Sequence, residues 1–150
     1  INVIYSGTMS AAVEASIEGI PAIGFSLLDY AFEADFSAAK HYARELAIKV
    51  LAQGLPEKTL LNVNFPKLPL AEIKGMRVCR QAKAKWVEEF EERLDPRGKK
   101  YYWMTGRFQN EDAGIDTDEW ALANNFVSVV PVQFDLTAHH AMSHINQLLA

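Results

Sequence analysis

The sequence contains one cysteine, no long apolar run and no excess of positive charge, and each absence excludes a class of protein. Its single cysteine, Cys79, cannot form a disulfide within the chain, a composition typical of a reducing cytoplasm. No apolar stretch approaches the roughly 20 residues that a membrane-spanning helix needs. The formal net charge of -4 argues against binding to a nucleic-acid polymer, which needs a basic surface. We therefore predict a cytoplasmic protein that binds neither a membrane nor a nucleic-acid polymer.

The opening of the chain lacks two further features. No basic segment followed by an apolar one is present, so no signal peptide is predicted. The chain starts at Ile1 rather than at Met, and the strand and helix that a doubly wound sheet needs before this point are missing. We therefore expect a segment of a longer protein, with an α/β core that is incomplete at its N-terminus.

Helical and strand-like patterns alternate in the first part of the chain. Apolar residues at helical spacing predict helices over 9–20 and 29–53, and short apolar runs predict strands over 20–25 and 60–65. This order is typical of a doubly wound, Rossmann-like α/β fold.

The whole chain is predicted to form one domain in two parts. Residues 1–66 would form the rear of the α/β core. Residues 67–150 would complete the domain with a β-hairpin extension, an oligomerisation surface and a terminal helix.

A long β-hairpin dominates the predicted second part. Asp95-Pro96-Arg97-Gly98 is a strong turn signal between two segments rich in aromatic residues. A turn over these four residues would place Phe90 opposite Trp103. Because an isolated two-stranded ribbon is marginal in water, we expect the hairpin from Trp86 to Trp103 to contact another subunit.

Shorter elements follow from local patterns. We predict a strand over 76–80, a helix over 116–123 and a strand over 126–131. A last helix would be capped by Thr137 and end at Leu149.

The triplet Ser6-Gly7-Thr8 is the most informative candidate site. It lies where a loop enters a helix, and the first N–H groups of a helix lack partners within it. Gly7 would let an oxyanion approach the backbone, and the hydroxyls of Ser6 and Thr8 would add donors. The alternative is that Ser6 or Thr8 only caps the helix.

Nucleophilic and metal-binding alternatives are weaker. Ser6 is not in a Gly-x-Ser-x-Gly elbow, because Ile4 occupies the first glycine position. His140 and His144 have the spacing of a zinc-binding pair, but no glutamate lies between them. A packing or interface role is favoured for both histidines.

Two polar clusters remain. Asp112, Asp116 and Asp118 do not match the spacing of a calcium loop, and turn formation and N-capping are the favoured roles. Asn62 and Asn64 end a predicted strand at the sheet edge where ligands of α/β proteins bind. Polar strand ends are also common without a ligand.

Several segments together carry a resemblance to one family. In chain order they are Val3-Ile4-Tyr5-Ser6-Gly7-Thr8-Met9-Ser10-Ala11-Ala12, Gly19-Ile20-Pro21-Ala22, Leu61-Asn62-Val63-Asn64-Phe65-Pro66, Thr117-Asp118-Glu119-Trp120-Ala121, Val127-Ser128-Val129-Val130-Pro131 and Phe134-Asp135-Leu136-Thr137-Ala138-His139. Their order and spacing resemble those of SurE, the survival protein E family of nucleoside-monophosphate phosphatases. The resemblance covers essentially the whole chain.

The resemblance implies an activity of the 5′-nucleotidase type. Members need a divalent metal ion, Mg²⁺ or Mn²⁺, and release phosphate from nucleoside 5′- or 3′-monophosphates. Ser6, Gly7 and Thr8 match the family's phosphate-contacting triplet. The family's metal-holding aspartates, serine and asparagine precede that triplet and have no counterpart here. We therefore expect no metal ligand in this chain and no activity from it alone.

The resemblance also implies a homodimer or homotetramer in which subunits exchange C-terminal elements. The alternative hypothesis is that the chain is a non-catalytic module that oligomerises or binds phosphate. Its basis is the absence of the metal-holding residues together with the aromatic hairpin.

Overall fold

The computed structural model describes residues 2–150 and shows an alternation of helices and strands. The helices are α1 (Gly7–Ile17), α2 (Ser37–Gln53), α3 (Asp118–Ala123) and α4 (Met142–Leu148). The strands are β1 (Ile23–Leu27), β2 (Thr59–Phe65), β3 (Met76–Val78), β4 (Ala84–Leu94), β5 (Lys100–Asn110) and β6 (Val127–Gln133). Short 3-10 helices cover Asn2–Tyr5, Leu70–Glu72 and His139–Ala141. No helix among these residues is long and apolar enough to cross a membrane.

The central sheet confirms the predicted α/β, Rossmann-like fold class. Its strand order is β1-β2-β6-β3, and a separate two-stranded sheet joins β4 to β5. β1 is parallel to β2 and β3 is parallel to β6, but β6 runs antiparallel to β2. The sheet is therefore mixed, and the doubly wound rhythm of the first 66 residues does not continue through it. Strands from residues 67–150 complete the sheet.

Alternation along β2 sends apolar side chains to both faces of the sheet. On one face, α2 packs against a cluster that includes Leu61, Val63 and Phe65. On the other face, Leu60 lies under α1 in a second cluster. A third cluster joins α3 to β6 on this second face through Ala121 and Val130. Both faces of the sheet are thus covered, as in other α/β proteins.

The predicted start of α2 at Asp29 is wrong, because the helix begins at Ser37. Two aspartates stabilise loop conformations before it. Asp29 Oδ1 accepts a hydrogen bond from the Ala31 N–H at 3.0 Å, and Asp35 Oδ1 accepts one from the Ser37 N–H at 2.8 Å. Such local side-chain bonds compete with helix formation. Phe32, one of the apolar residues within the predicted helix 29–53, lies before the observed helix and is fully exposed.

The strand predicted over 20–25 starts later, at Ile23. Gly19 adopts a left-handed conformation with φ 75° and donates to the Ser16 carbonyl, and Ile20 donates to the Ala15 carbonyl. The last turn of α1 therefore uses backbone groups that the strand would need. The strand predicted over 60–65 is confirmed with one residue added.

The predicted pairing of Phe90 with Trp103 is wrong by one residue. Phe90 lies opposite Met104, and Trp103 lies opposite Glu91. Asp95 pairs with Lys99 rather than with Gly98, since the Asp95 N–H donates to the Lys99 carbonyl at 2.9 Å. Gly98 is the additional loop residue, in a left-handed conformation with φ 77°. Three-residue hairpin loops commonly end in such a bulge.

The C-terminal elements match the predictions in part. The strand over 76–80 and the helix over 116–123 are confirmed in shorter form, and the strand over 126–131 is confirmed and extends to Gln133. Thr137 does not cap the last helix, which starts only at Met142. The Thr137 N–H donates instead to Asp135 Oδ1 at 2.9 Å.

Candidate functional site

Ser6 caps the N-terminus of α1. Its backbone is extended, and its Oγ accepts a hydrogen bond from the Met9 N–H at 3.3 Å. The Ser6 carbonyl accepts from the Ser10 N–H at 2.8 Å. Ser6 therefore caps the helix, as the capping alternative predicts. This cap uses the Met9 N–H and not the N–H groups of Gly7 and Thr8.

The amides of Gly7 and Thr8 remain available at the start of this helix. Among the groups that the structure describes, none accepts a hydrogen bond from either N–H. A Cβ built at Gly7 meets no atom within 4 Å, so the backbone there is open to an approaching ligand. Free amides at the positive end of an 11-residue helix are a suitable environment for an anion.

The sheet fixes the position of α1. Met9 is buried beneath the helix and packs with Leu60 of β2. Gly24 of β1 permits this close approach, because a Cβ at that position would lie 2.5 Å from Met9 Sδ. The opening amides of α1 are therefore held beside the carboxyl ends of β1 and β2, the edge at which α/β proteins bind ligands.

A cavity of about 470 Å³ lies at this edge, within the range of small-ligand pockets. Its lining combines residues from both parts of the chain. They are Val3, Ser6, Thr8, Met9, Ser26, Leu27, Leu28, Tyr30, Asn62, Asn64, Gln81, Ala82, Ala84, Trp86, Phe108, Asp118, Glu119 and Leu122. No histidine is among these described lining residues. A hydrolase that pairs Ser6 with a histidine base therefore finds no histidine in the described lining of this cavity.

Asn62 and Asn64 extend from β2 into the cavity. Asn64 Nδ2 donates to Asn62 Oδ1 at 3.2 Å, so the two amides orient each other. Asn64 lies opposite Ser128 of β6, and both side chains are on the face that carries α1. The strand-end prediction is confirmed in position, and a ligand role for these amides stays a prediction.

Two acidic residues at the start of α3 face the same cavity. Thr117 Oγ1 caps this helix by accepting from the Trp120 N–H at 3.1 Å. Asp118 Oδ1 accepts from the Ala82 N–H at 2.8 Å, which ties the helix to the segment before β4. Burial, with the nearby Asp118 charge as a smaller cause, raises the pKa of the Glu119 carboxyl. Turn formation, predicted for this acidic cluster, is confirmed at Asp112, whose Oδ1 accepts from the Gly114 N–H at 3.0 Å. The predicted N-capping by an aspartate is wrong, because Thr117 is the cap and Asp118 lies in the first turn of the helix.

Sequence reasoning missed the cation at the centre of the cluster. Arg80 Nη1 lies 2.6 Å from Asp112 Oδ2, and Arg80 Nε lies 2.9 Å from Asp116 Oδ2. The Arg80 guanidinium, together with the N–H groups of Lys83 and Gly114, holds the pKa of the Asp112 carboxyl well below its usual range. The three acids were visible in the sequence, but no local spacing connects them to an arginine more than 30 residues away.

The C-terminal histidines lie elsewhere. His139 Nε2 is 3.1 Å from Asp135 Oδ2. His140 belongs to a 3-10 helix and His144 to α4, and both are exposed, so the predicted packing role within this chain is wrong. An interface role for them stays a prediction. Among residues 2–150, no group of three or more His, Cys, Asp and Glu side chains is placed to hold a metal ion.

The fold and this site together define an α/β protein with an open helix N-terminus at the edge of its sheet. The family model described as "Survival protein SurE" matches residues 1–88. The chain belongs to the SurE family.

Similar proteins extend this match over nearly the whole chain. A protein named 5′-nucleotidase SurE from Flavobacterium psychrophilum is 64% identical over 146 residues, which are 97% of this chain and 57% of that protein. One of the same name from Cytophaga hutchinsonii is 56% identical over 147 residues, covering 98% of this chain and 57% of that protein. The chain thus spans somewhat more than half the length of these relatives.

A solved structure agrees with the fold. The crystal structure of SurE protein from Aquifex aeolicus superposes with a TM-score of 0.79 at 40% sequence identity. The match covers 99% of this chain and 60% of that one.

Proposed function

We propose that this chain forms the phosphate-binding part of a nucleoside-monophosphate phosphatase of the 5′-nucleotidase type. The observation that carries the proposal is the pair of free amides at Gly7 and Thr8, beside a cavity lined by Ser6 and Thr8, in a member of the SurE family. The names of its relatives support a nucleotide substrate. A cytoplasmic location and a phosphate or nucleoside-monophosphate ligand are parts of the same proposal.

The residues of the chain would bind and orient the phosphoryl group. The N–H groups of Gly7 and Thr8 would donate to its oxygens, and the Thr8 hydroxyl would add a donor. The positive end of α1 would stabilise negative charge as it redistributes over these oxygens. Ser6 would act mainly through its cap, which fixes the first turn of the helix.

The divalent metal ion, Mg²⁺ or Mn²⁺, is assigned to residues outside this chain. The described side chains do not fit a metal centre by themselves, because no three candidate acidic, histidine or cysteine ligands converge. When bound, such an ion would supply electrophilic activation of the phosphoryl group. We therefore expect no turnover from the 150-residue chain alone.

We also assign the exposed apolar face of the β4–β5 hairpin that carries Phe90 and Met104 to contact with a second copy of the chain, in a homodimer or homotetramer. The large exposed side chains along this face support the assignment, since an apolar surface of this kind is typical of an interaction site. Exchange of C-terminal elements between subunits is the form of association that we propose.

The decisive variant is Gly7→Ala in the polypeptide that contains this chain and spans the length of its relatives. Alanine fits the helix and has free space, so stability should be unchanged or slightly higher. Its Cβ would obstruct the phosphate, and kcat/KM for a nucleoside 5′-monophosphate should fall by about 100-fold. Ser10→Ala, on the exposed side of α1, is the matched control and should retain activity.

Two results would contradict the proposal. If the Gly7→Ala variant kept the wild-type kcat/KM, the phosphate would not bind at the N-terminus of α1. Metal-dependent release of phosphate by the purified 150-residue chain would contradict the assignment of the metal ligands to residues outside it.

A further inference from the structure

Two aromatic side chains of the hairpin, far along the sequence from the phosphate triplet, line the same cavity. Trp86 of β4 and Phe108 of β5 are directly opposed in the ladder, so their side chains project from the same face. Both line the cavity that also contains Ser6 and Thr8. Trp86 is 43% exposed and Phe108 is 49% exposed, so about half of each residue's surface is accessible.

The Trp86 indole has a defined place on the hairpin. A Cβ at Gly106 would overlap Trp86 Nε1 and lie 2.5 Å from the Val87 carbonyl oxygen. The indole therefore lies over the backbone of Gly106, where any larger residue would displace it. A ring confined in this way presents its remaining exposed surface to a ligand at little further cost in side-chain entropy.

The base of the hairpin is anchored to the wall of the cavity. Arg80 binds Asp112 through two contacts, and Asp112 Oδ2 also accepts from the Lys83 N–H at 3.0 Å. Asp118, at the start of α3, accepts a hydrogen bond from the Ala82 N–H through its Oδ1. These bonds fix the segments that enter β4 and leave β5, and with them the two aromatic residues.

The cavity lining thus joins the hydroxyls of Ser6 and Thr8, at the start of α1, to the two aromatic residues of the hairpin. A nucleotide combines the same two kinds of group, with a phosphate at one end and a flat π system at the other. Aromatic side chains bind bases by stacking, with little dependence on which base is present.

We propose that Trp86, backed by Phe108, is the nucleobase-stacking platform of this site. The inference rests on the proposed function and adds the residues that would distinguish a nucleotide from a simpler phosphate ester. It predicts a preference for phosphate esters that carry a base, with weak discrimination among bases.

The test compares a nucleoside 5′-monophosphate with ribose 5-phosphate, in the polypeptide that contains this chain and spans the length of its relatives. Trp86→Ala should raise KM for the nucleotide about tenfold. It should leave KM for ribose 5-phosphate unchanged. Trp86→Phe should recover most of the affinity, because phenylalanine retains an aromatic face. Trp103→Ala, on the other face of the hairpin, should behave as wild type.

Fluorescence gives an independent readout. Stacking on Trp86 should quench indole emission when the nucleotide is added. The quench should disappear in Trp86→Phe and persist in Trp103→Phe.

The outcomes separate the two proposals. An equal increase in KM for both substrates, or no increase for the nucleotide, would overturn the stacking role while leaving the phosphatase assignment intact. Failure of the wild-type polypeptide to release phosphate from either substrate would overturn the proposed function and the platform with it.

Discussion

Arg80 holds Asp112 in a bidentate ion pair across 32 residues of sequence, with Nη1–Oδ2 and Nη2–Oδ1 distances of 2.6 and 2.9 Å. The Asp112 side chain is 8% exposed, whereas that of Arg80 is 43% exposed. The carboxylate is therefore the enclosed partner, and its charge matters more to the local structure. Paired, planar contacts of this type are stronger than single ones.

The Asp112 pair should make the protein sensitive to acid. Because Asp112 has a lowered pKa in the folded state, its contribution to stability is present above the ordinary aspartate pKa of about 3.9 and is lost as the pH falls through the folded value. Asp112→Asn should lower the melting temperature by several degrees at pH 6. The difference from wild type should shrink below about pH 4.

Glu91→Gln is the control for this experiment. Glu91 pairs with Arg93 but its side chain is 55% exposed, and exposed pairs contribute little. Its melting temperature should follow wild type at both pH values. A constant Asp112→Asn deficit across the pH range would contradict the titration argument.

Ionised Glu119 should lower the stability of the folded state at neutral pH, whereas ionised Asp112 raises it. Its pKa is raised by burial, so the folded state holds the proton more tightly than the unfolded state does. Stability is then lost as the pH rises above the ordinary glutamate pKa of about 4.3. Glu119→Gln should melt higher than wild type at pH 7 and equal to it near pH 4. Thermal unfolding at the two pH values would measure this, and a loss of stability at pH 7 would refute it.

Ser6 can be tested for capping and for phosphate binding separately. Ser6→Ala removes the cap and should lower stability by about 0.5–2 kcal/mol. Ser6→Asp retains a capping oxygen and adds negative charge beside the proposed phosphate. It should keep near wild-type stability and lose phosphate affinity, as measured by calorimetric titration with inorganic phosphate. Retained affinity in Ser6→Asp would be incompatible with an anion at this helix terminus.

The hairpin face that carries Trp86 and Phe108 continues toward the tip, and this outer part should mediate the association of two copies of the chain. Phe90 and Met104 oppose each other there, and each is 67% exposed. Phe90→Lys should shift the sedimenting species toward monomer, since a charge would be placed in an apolar contact. Trp103→Lys, a matched change on the other face, should leave the assembly intact. Identical sedimentation of both variants and wild type would exclude this face as the contact.

Ser128 offers a test of an unpaired buried group. It is fully buried, and its Oγ has no hydrogen-bond partner among the described residues. Ser128→Ala removes an unsatisfied oxygen, so stability should be unchanged or rise by up to about 1 kcal/mol. Thr117→Ala, at a buried hydroxyl that does cap a helix, should instead cost about 0.5–2 kcal/mol. Chemical denaturation of both variants gives the comparison.

The predictions from sequence succeeded where a local pattern matches a local cause. The cap at Ser6, the strand at residues 59–65 and the turn after Asp95 all depend on neighbouring residues. The fold class followed from the order of such elements, and the family resemblance is confirmed by the match to residues 1–88.

The failures have a different origin. The start of α2 was missed because Asp29 and Asp35 bind backbone amides, an alternative that apolar periodicity does not report. The antiparallel β6 and the Arg80 cluster depend on contacts between distant segments. The cavity walls could not be deduced for the same reason, because Trp86 and Phe108 reach them only through the hairpin register.

The left-handed Gly98 at the hairpin tip sets the strand register, and that register determines which side chains line the cavity at the base of the hairpin. With a two-residue loop, β5 would slip by one position, and Arg107 rather than Phe108 would share a face with Trp86. The eight residue steps of β5 from Lys100 to Phe108 span roughly 26 Å, and the alternation of side chains along them preserves the register that is set at the turn. A two-residue loop closed by Asp95 and Gly98 in the same sequence would therefore exchange an aromatic ring for a guanidinium in the wall of a distant binding site, without a substitution at any residue that lines it.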